Sequence, residues 1–414
     1  MVVFLEPLDV WVFRDGRPFS AGEDHHAKCV FPPSPFTVQG ALRSKVLTEH
    51  CGNLDKYAGR PSGACAACGP ATVCPVRAEI GFGDDPGPFR LRWILPARQS
   101  NGAVTPHFPV PRHVVRAKAM GTWNWLRPIE DAHLTNLSTG LRTLGARAPY
   151  PVEHQEGWVA AAALTTLLHG ELPEGLYPVR TRGEGSIPDE SRRPSERDVL
   201  EEQQESILAE EPRVGIGLTP GRKTAASGQF FVVDALRLHK GWGLAVAFDG
   251  LRRLPDSGFL DIGGEGRAAR YATTSEAPYP PASAREIEQE RRFLLYLMSP
   301  ALFGDDSAGW TWRPGFLGDD LVGVIPDSRT RVRLVAAAIG SPVRIGGWEL
   351  GTGERGGRPR PMRAAVPAGS VYFFEIADGP VEPVLALHGQ TVTDRYAAFG
   401  FGVALIGRWL RWHD

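Results

Sequence analysis

QFFVVDALRL (229–238) and GWGLAVAF (241–248) are two dense apolar runs, broken only around Lys240-Gly241. Branched and aromatic residues in runs this short favour pleated backbone, and a Lys-Gly step between them is turn punctuation, so a β-hairpin is predicted. Runs of the same character recur at RRFLLYLMSP (291–300), VRLVAAAIG (332–340), SVYFFEI (370–376) and FGVALIGRW (401–409). Each reads as a buried strand, although a short apolar run also fits a helix core. Residues 1–13 add another strand, with Val3, Leu5, Val10 and Val12 apolar.

Helices are interspersed. In FPPSPFTVQGALRSKVL (31–47) two prolines hold the chain extended and Thr37 is the expected N-cap; Val38, Ala41, Leu42 and Val46 then recur at helical spacing. A second helix is predicted over 158–169, and 96–128, rich in Pro, Arg and Trp, as a long irregular loop region. Strands with scattered helices and no βαβ rhythm indicate an α+β fold. The 414 residues exceed one ordinary core. Two domains are expected, 1–220 and 221–414, with exchange of strands between them allowed for. The first would carry a cysteine-bearing insertion at 51–75 and a polar loop at 181–212, read as a solvated segment.

Net charge is −1, so no global basic bias announces nucleic acid, although a neutral protein can carry a basic groove. Of 46 basic residues only six are lysine. Guanidinium groups fork onto phosphate and stack on bases, while a GC-rich coding sequence would give the same bias. Glu6 and Asp9 spoil a signal peptide and no apolar stretch is long enough to span a bilayer. No membrane association, a cytoplasmic location and reduced thiols are expected.

Several motifs carry chemistry. In FRDGRPFSAG (13–22), Asp15-Gly16 is a turn signal flanked by Arg14 and Arg17, with Phe19 placed to stack on a base. A helix start at 35–43 offers free N–H groups, with Thr37 and Gly40 near its start and Arg43 and Lys45 further on. DIGGEGRAARY (261–271) combines Gly263, Gly264 and Gly266, which permit close backbone approach, with Arg267 and Arg270. It lacks the P-loop lysine pattern, so nucleotide hydrolysis is not supported. The glycines of GFGVALIGRW (400–409) have the wrong spacing for a dinucleotide fold and read as a buried strand. Each motif also has a plain reading, as a solvated turn, a capped helix or a hairpin.

Cys51, Cys65, Cys68 and Cys74 lie within a short segment, and Cys65-Ala-Ala-Cys68 has knuckle spacing. A closed four-thiolate site for structural zinc is expected, with free loop thiols as the alternative. His25-His26 lies just past the arginine turn. Nothing in the chain orders a nucleophile, base and orienting acid, so the pair reads as solvated.

Taken together, PLDVWVFRDGRPFSAG (7–22), FPPSPFTVQGALRS (31–44), EPRVGIGLTPGRKTAASGQFF (211–231), DIGGEGRAARY (261–271), AVPAGSVYFFE (365–375) and GFGVALIGRW (400–409) resemble, in order, a RAMP-superfamily subunit of the type III-B CRISPR–Cas (Cmr) effector. Ser227 departs from the acidic residue usual before Gly228, and the cysteine insertion and the 181–212 stretch lie outside the shared pattern. The resemblance implies two ferredoxin-like (RRM-like) domains with long inserted loops. It implies binding of the crRNA 5′ handle, and contact with the large Palm-domain subunit and the first RAMP backbone subunit. Target RNA would be met only through the complex. Arg222 and Lys223 join the RNA-binding set on this basis. Cleavage belongs to other subunits of that family, so no catalytic residue is expected here. Two other readings compete. One is a metal-independent endoribonuclease with His25 or His26 as base and Arg14 or Lys28 beside it. The other is a protein-only architectural subunit anchored by Trp123, Trp125, Trp310 and Trp312.

Overall fold

The computed structural model describes residues 1–16, 26–51, 53–57, 74–118, 121–129, 137, 140–173, 175–182, 205–219, 221, 224–275, 279–304, 310–349 and 357–410. Two compact units emerge, each assembled from three separated segments. The first contains 1–104, 180–276 and 344–362; the second contains 105–179, 277–343 and 363–414. The division is therefore not a single cut near residue 220.

In the first unit the labelled strands are β1 (Val2–Pro7), β2 (His26–Ala27), β3 (Arg90–Ser100), β4 (Arg180–Arg182), β5 (Ser206–Leu218), β6 (Ala225–Leu238), β7 (Trp242–Asp249), β8 (Ser257–Asp261) and β9 (Ala268–Thr274). One sheet runs β3-β7-β1-β9-β8 with every pair antiparallel. Helix α1 (Pro35–His50) covers one face. Its Val38, Ala41, Leu42 and Val46 join Val3, Leu5, Leu244, Val246 and Phe248 in one buried cluster. Each such side chain contributes about 1.5–3 kcal/mol on burial. The helical spacing read from 38, 41, 42 and 46 thus marks the face that packs on the sheet.

The predicted hairpin at 229–248 is not formed. Both runs are strands, but β6 pairs with β5 and β7 pairs with β1 and β3. A turn closed by Trp242 N–H on His239 O at 3.0 Å moves the chain from one sheet to the other. The reason lies in β7, which is buried at every position from Trp242 to Phe248. A strand buried on both faces needs partners on both sides, and β1 and β3 fill those places. The second sheet is a ribbon, β4-β5-β6-β2, dominated by the long antiparallel β5–β6 pair.

The second unit repeats the pattern. Strands Arg331–Ala338, Val371–Asp378, Arg292–Leu297 and Ala404–Gly407 lie side by side in that order, all antiparallel. Cross-strand partners Phe293 and Phe374 stack at 5.0 Å. These are the strands expected from the apolar runs. The 158–169 prediction is half right: Trp158–Ala160 pairs with 107–109 as a strand, and the helix is Ala161–Leu168. Much of 96–128 is strand rather than irregular loop, through β3, Ala103–Pro109, Val114–Ala117 and Trp123–Trp125. Prolines that suggested a loop sit at strand positions without breaking them, Pro96 opposite Leu244 and Pro109 at a strand end.

Candidate nucleic-acid interface

The glycine turn is the tip of the β8–β9 hairpin, whose pairing runs from Ser257↔Ala272 to Asp261↔Ala268. Ile262 N–H donates to Arg267 O at 2.9 Å and closes the tip. Gly263, Glu265 and Gly266 take φ of 83°, 57° and 61°. At Gly263 a second demand adds to the left-handed backbone: a Cβ would lie 2.6 Å from the Val12 carbonyl and 3.0 Å from the Phe13 ring. Gly264 N–H donates to that same Val12 carbonyl at 2.8 Å. The close approach that glycine permits is therefore first to the chain's own backbone. At Gly266 a Cβ would meet nothing within 4 Å among the described residues, so none of them closes that side of the turn.

Segment 12–16 leads from this contact into the FRDG turn. Val30 N–H donates to Phe13 O at 2.8 Å, Arg14 bridges Cys29, and Asp15 N–H donates to Lys28 O at 3.0 Å. Gly16 lies against the Met362 thioether, which a Cβ would overlap. The Arg182 guanidinium donates to Cys29 O at 2.7 Å and pairs with Glu210 at 2.6 Å. Arg14-Asp15-Gly16 and Gly263-to-Arg267 are thus linked through residues 12–13. Arg17, Phe19, Arg222 and Lys223 lie outside the described residues.

Beside the glycine turn sits a charge cluster that sequence reading did not assemble. Asp9 meets Arg213 at 2.9 Å, Arg237 at 3.0 Å and Arg267 at 3.5 Å. Glu211 meets Arg213 at 2.8 Å and also Arg237. The hydrogen bond from Arg213 holds the Asp9 carboxyl below its ordinary pKa, and that from Arg237 does the same for Glu211. Register explains the gathering: Glu211, Arg213 and Arg237 project from one face of the β5–β6 ribbon. Arg270, further along β9, pairs with Glu6. Glu211-Pro212-Arg213 was a visible motif, but its link to Asp9 and Arg237 needed the fold.

Towards the ribbon's far end, the opposite face is apolar and exposed. Val214 is 66% exposed, Ile216 54%, Leu218 54% and Phe230 46%. Gly215 is required here, because its cross-strand partner Phe231 lays its ring where a Cβ would stand.

The helix start differs from expectation. Ser34, not Thr37, is the N-cap, accepting from Phe36 N–H at 3.3 Å, and Pro35 opens the helix where its missing N–H costs nothing. Thr37 lies inside the first turn, and its N–H is already given to Ser34 O at 2.9 Å. Arg43 is also committed: it donates to Gly83 O at 3.0 Å and Asp85 O at 2.8 Å. Half-buried, it braces the 83–85 turn through these two carbonyls. Gly40 faces open space.

Cys51 follows α1 and Cys74 caps the helix Pro75–Ile80; Cys65 and Cys68 lie outside the described residues. His26 Nε2 lies 2.7 Å from the buried Asp234 carboxylate, while His25 is outside the described residues. Of the tryptophans, Trp125 is buried, Trp310 is 41% exposed, and Trp123 gives its indole N–H to Leu176 O at 2.9 Å. Trp312 packs partly buried against the second unit's core.

No curated protein matches the chain. Chains in two solved structures resemble it, described as "Cryo-EM structure of the Type III-B Cmr-beta bound to cognate target RNA" and the same complex "bound to cognate target RNA and AMPPnP, state 1". Each is 16% identical over 90% of this chain and 86% of its own, with a TM-score of 0.45. From residue 3 to residue 409 the sequence matches the family described as CRISPR-associated protein (Cas_Cmr3), and the chain belongs to that family.

Proposed function

We propose that the chain is a non-catalytic RNA-holding subunit of a type III-B effector. It anchors the 5′ repeat-derived handle of the crRNA and joins the large Palm-domain subunit to the first RAMP backbone subunit. Target RNA is reached through the assembled complex. The observation that carries this reading is the contiguity of Arg14, Arg182, Arg267, Arg213 and Arg237 around the 12–16 and 262–267 backbone. Guanidinium groups on strands and turns, beside Gly266 backbone that no described residue covers, suit single-stranded RNA. We read both units as ferredoxin-like RAMP domains. Support comes from the strand order: with the edge strands β8 and Val322–Val324 set aside, the core strands of each unit lie second, third, first and fourth with antiparallel neighbours. A cytoplasmic location belongs to the same proposal; no described helix is long and apolar enough to cross a membrane.

Replacing Arg14 and Arg17 together by alanine is expected to weaken binding of repeat-derived RNA. The slope of log affinity against log salt should fall by about 1.4, at about 0.7 per lost single-strand phosphate contact. Fluorescence anisotropy at several salt concentrations measures this. Affinity unchanged at every salt would favour a protein-only architectural role.

Structural zinc on Cys51, Cys65, Cys68 and Cys74 is part of the proposal. Tyr57 and Cys74 belong to one buried cluster and Cys51 packs against it, so both ends of the insertion meet the same core. Elemental analysis should find about one zinc per chain.

One observation favours a second reading. The Asp234 carboxylate beside His26 would orient the ring for proton abstraction. Metal-free cleavage of repeat RNA that disappears in His26→Ala would establish a ribonuclease; intact RNA supports the holding role.

A further inference from the structure

The cluster at Asp9 has an unusual charge count. Arg213, Arg237 and Arg267 come from three parts of the chain and meet two carboxylates, Asp9 and Glu211. Three positive and two negative groups leave one positive charge. One phosphodiester would bring the group to neutrality. The site is open to solvent: side-chain exposure is 47% for Asp9, 36% for Glu211, 33% for Arg213 and 47% for Arg237.

Exposed ion pairs contribute little to stability, about 0–1 kcal/mol each. A stability role alone would not call for three guanidiniums on one carboxylate. Their convergence does have a consequence: like charges that would repel are held together, already aimed at a single point. Asp9 occupies that point. A phosphodiester resembles it in charge and in having two terminal oxygens, and it accepts the same forked donors. Arg267 is the least satisfied of the three. Its contact with Asp9 is the longest, at 3.5 Å, and its buried Nε–H meets no hydrogen-bond partner among the described residues. The backbone beside it, at Gly266, faces open space, so a strand can come close.

We propose that Asp9 is a built-in stand-in for phosphate. In the RNA-free chain it gathers Arg213, Arg237 and Arg267; when RNA arrives, one backbone phosphodiester takes its place among the guanidiniums. Glu211 stays on Arg213 and Arg237 and keeps them positioned. No bond is made or broken. Asp9 therefore sets the affinity of the site downward, which keeps free chain from holding RNA indiscriminately. The inference rests on the RNA-holding reading above and names one phosphate subsite within it.

The test uses the full-length chain and a fluorescein-labelled single-stranded RNA carrying the repeat-derived 5′ segment of the guide. Anisotropy titrations over a salt series compare the native chain with Asp9→Asn, Glu211→Gln, Arg237→Ala and Arg14→Ala. Thermal melts of each confirm folding. Asp9→Asn should bind about five-fold more tightly, the effect of removing one like charge near a phosphate in water. Arg237→Ala should bind more weakly, with a salt slope lower by about 0.7. Glu211→Gln should weaken binding, because Arg213 and Arg237 lose their rack.

Asp9→Asn binding no tighter than the native chain overturns the proposal. If Arg14→Ala weakens binding while Asp9→Asn and Arg237→Ala leave it unchanged, this subsite fails and the RNA-holding reading survives. If the native chain itself does not bind the RNA, both fail. Should Asp9→Asn melt early, Asp9→Ser supplies the same charge removal, and binding no tighter in it is equally fatal.

Discussion

Glu79→Ala is expected to destabilise the chain by about 3 kcal/mol, because it strips the acceptor from three donors at once. Glu79 is 7% exposed. Its Oε1 accepts from Arg252 N–H at 2.6 Å and Arg253 N–H at 2.8 Å, and its Oε2 accepts from the Arg253 guanidinium. The guanidinium is partly exposed and can turn to water, but the two backbone donors cannot leave without moving the loop. His50 pins the same loop from the other side, through Nε2 on Arg253 O at 2.9 Å. Glu79→Gln keeps an oxygen for the backbone donors and loses only the charge pair, so it should cost about 1–2 kcal/mol. Urea unfolding of the three proteins checks the ranking. Equal midpoints for Gln and Ala would mean that the backbone contacts carry no stability. The loop matters to the interface because it connects β7 to β8, the strand that leads into the glycine turn.

The same residues show what the sequence could and could not disclose. Apolar runs located β1, β7 and the four core strands of the second unit, since a strand buried on both faces leaves a dense signature in one dimension, but they missed β3 and β9. They did not reveal partners. β6 and β7 adjoin in sequence and look like a hairpin, yet they belong to different sheets, because β7 is central and is filled by β1 and β3. Distance along the chain is a fair guide to pairing only for strands with a free edge. The cap at α1 was misplaced by three residues for a local reason. Ser34-Pro35 satisfies the start better than Thr37, as Pro35 has no N–H to leave unpaired.

At the interface, glycines and arginines were legible as types, and the 261–271 turn was found where expected. Their tasks were not. Gly263 serves the chain's own Val12 carbonyl, whereas Gly266 leaves space outside. Arg43, read as a cation near the helix start, also braces the 83–85 turn from a half-buried position. The Asp9 cluster was invisible because its members stand at 9, 211, 213, 237 and 267, and only the folded ribbon puts them together. Acidic residues were the overlooked signal. A search for RNA contacts counts cations, yet here carboxylates decide how those cations are arrayed.

The largest pH effect is expected from His113 in the second unit. The ring is 3% exposed, stacks on Trp125 at 5.0 Å and meets Phe373 edge-on at 5.8 Å, and its Nδ1 meets no hydrogen-bond partner among the described residues. Burial, with His154 adding repulsion, pushes its pKa down from 6.5 to about 3. His154 itself is lowered by burial and by Arg112, so it adds to the effect in the same direction. The sign follows from proton counting. Between pH 6.5 and about 3 the unfolded chain binds a proton at His113 that the folded chain refuses. Stability is therefore unaffected by this group above pH 6.5 and falls as pH drops below it, by about 1.4 kcal/mol per unit. By pH 4 the loss from His113 alone reaches about 3 kcal/mol. His113→Phe keeps an aromatic ring on Trp125 and removes both the titration and the unmet nitrogen. It should be at least as stable as the native chain at pH 7 and pull ahead by about 3 kcal/mol at pH 4. Thermal melts from pH 7 to pH 4 measure the divergence. Parallel curves for the two proteins would mean that His113 accepts its proton without leaving the fold, and that the site is wetter than its packing indicates.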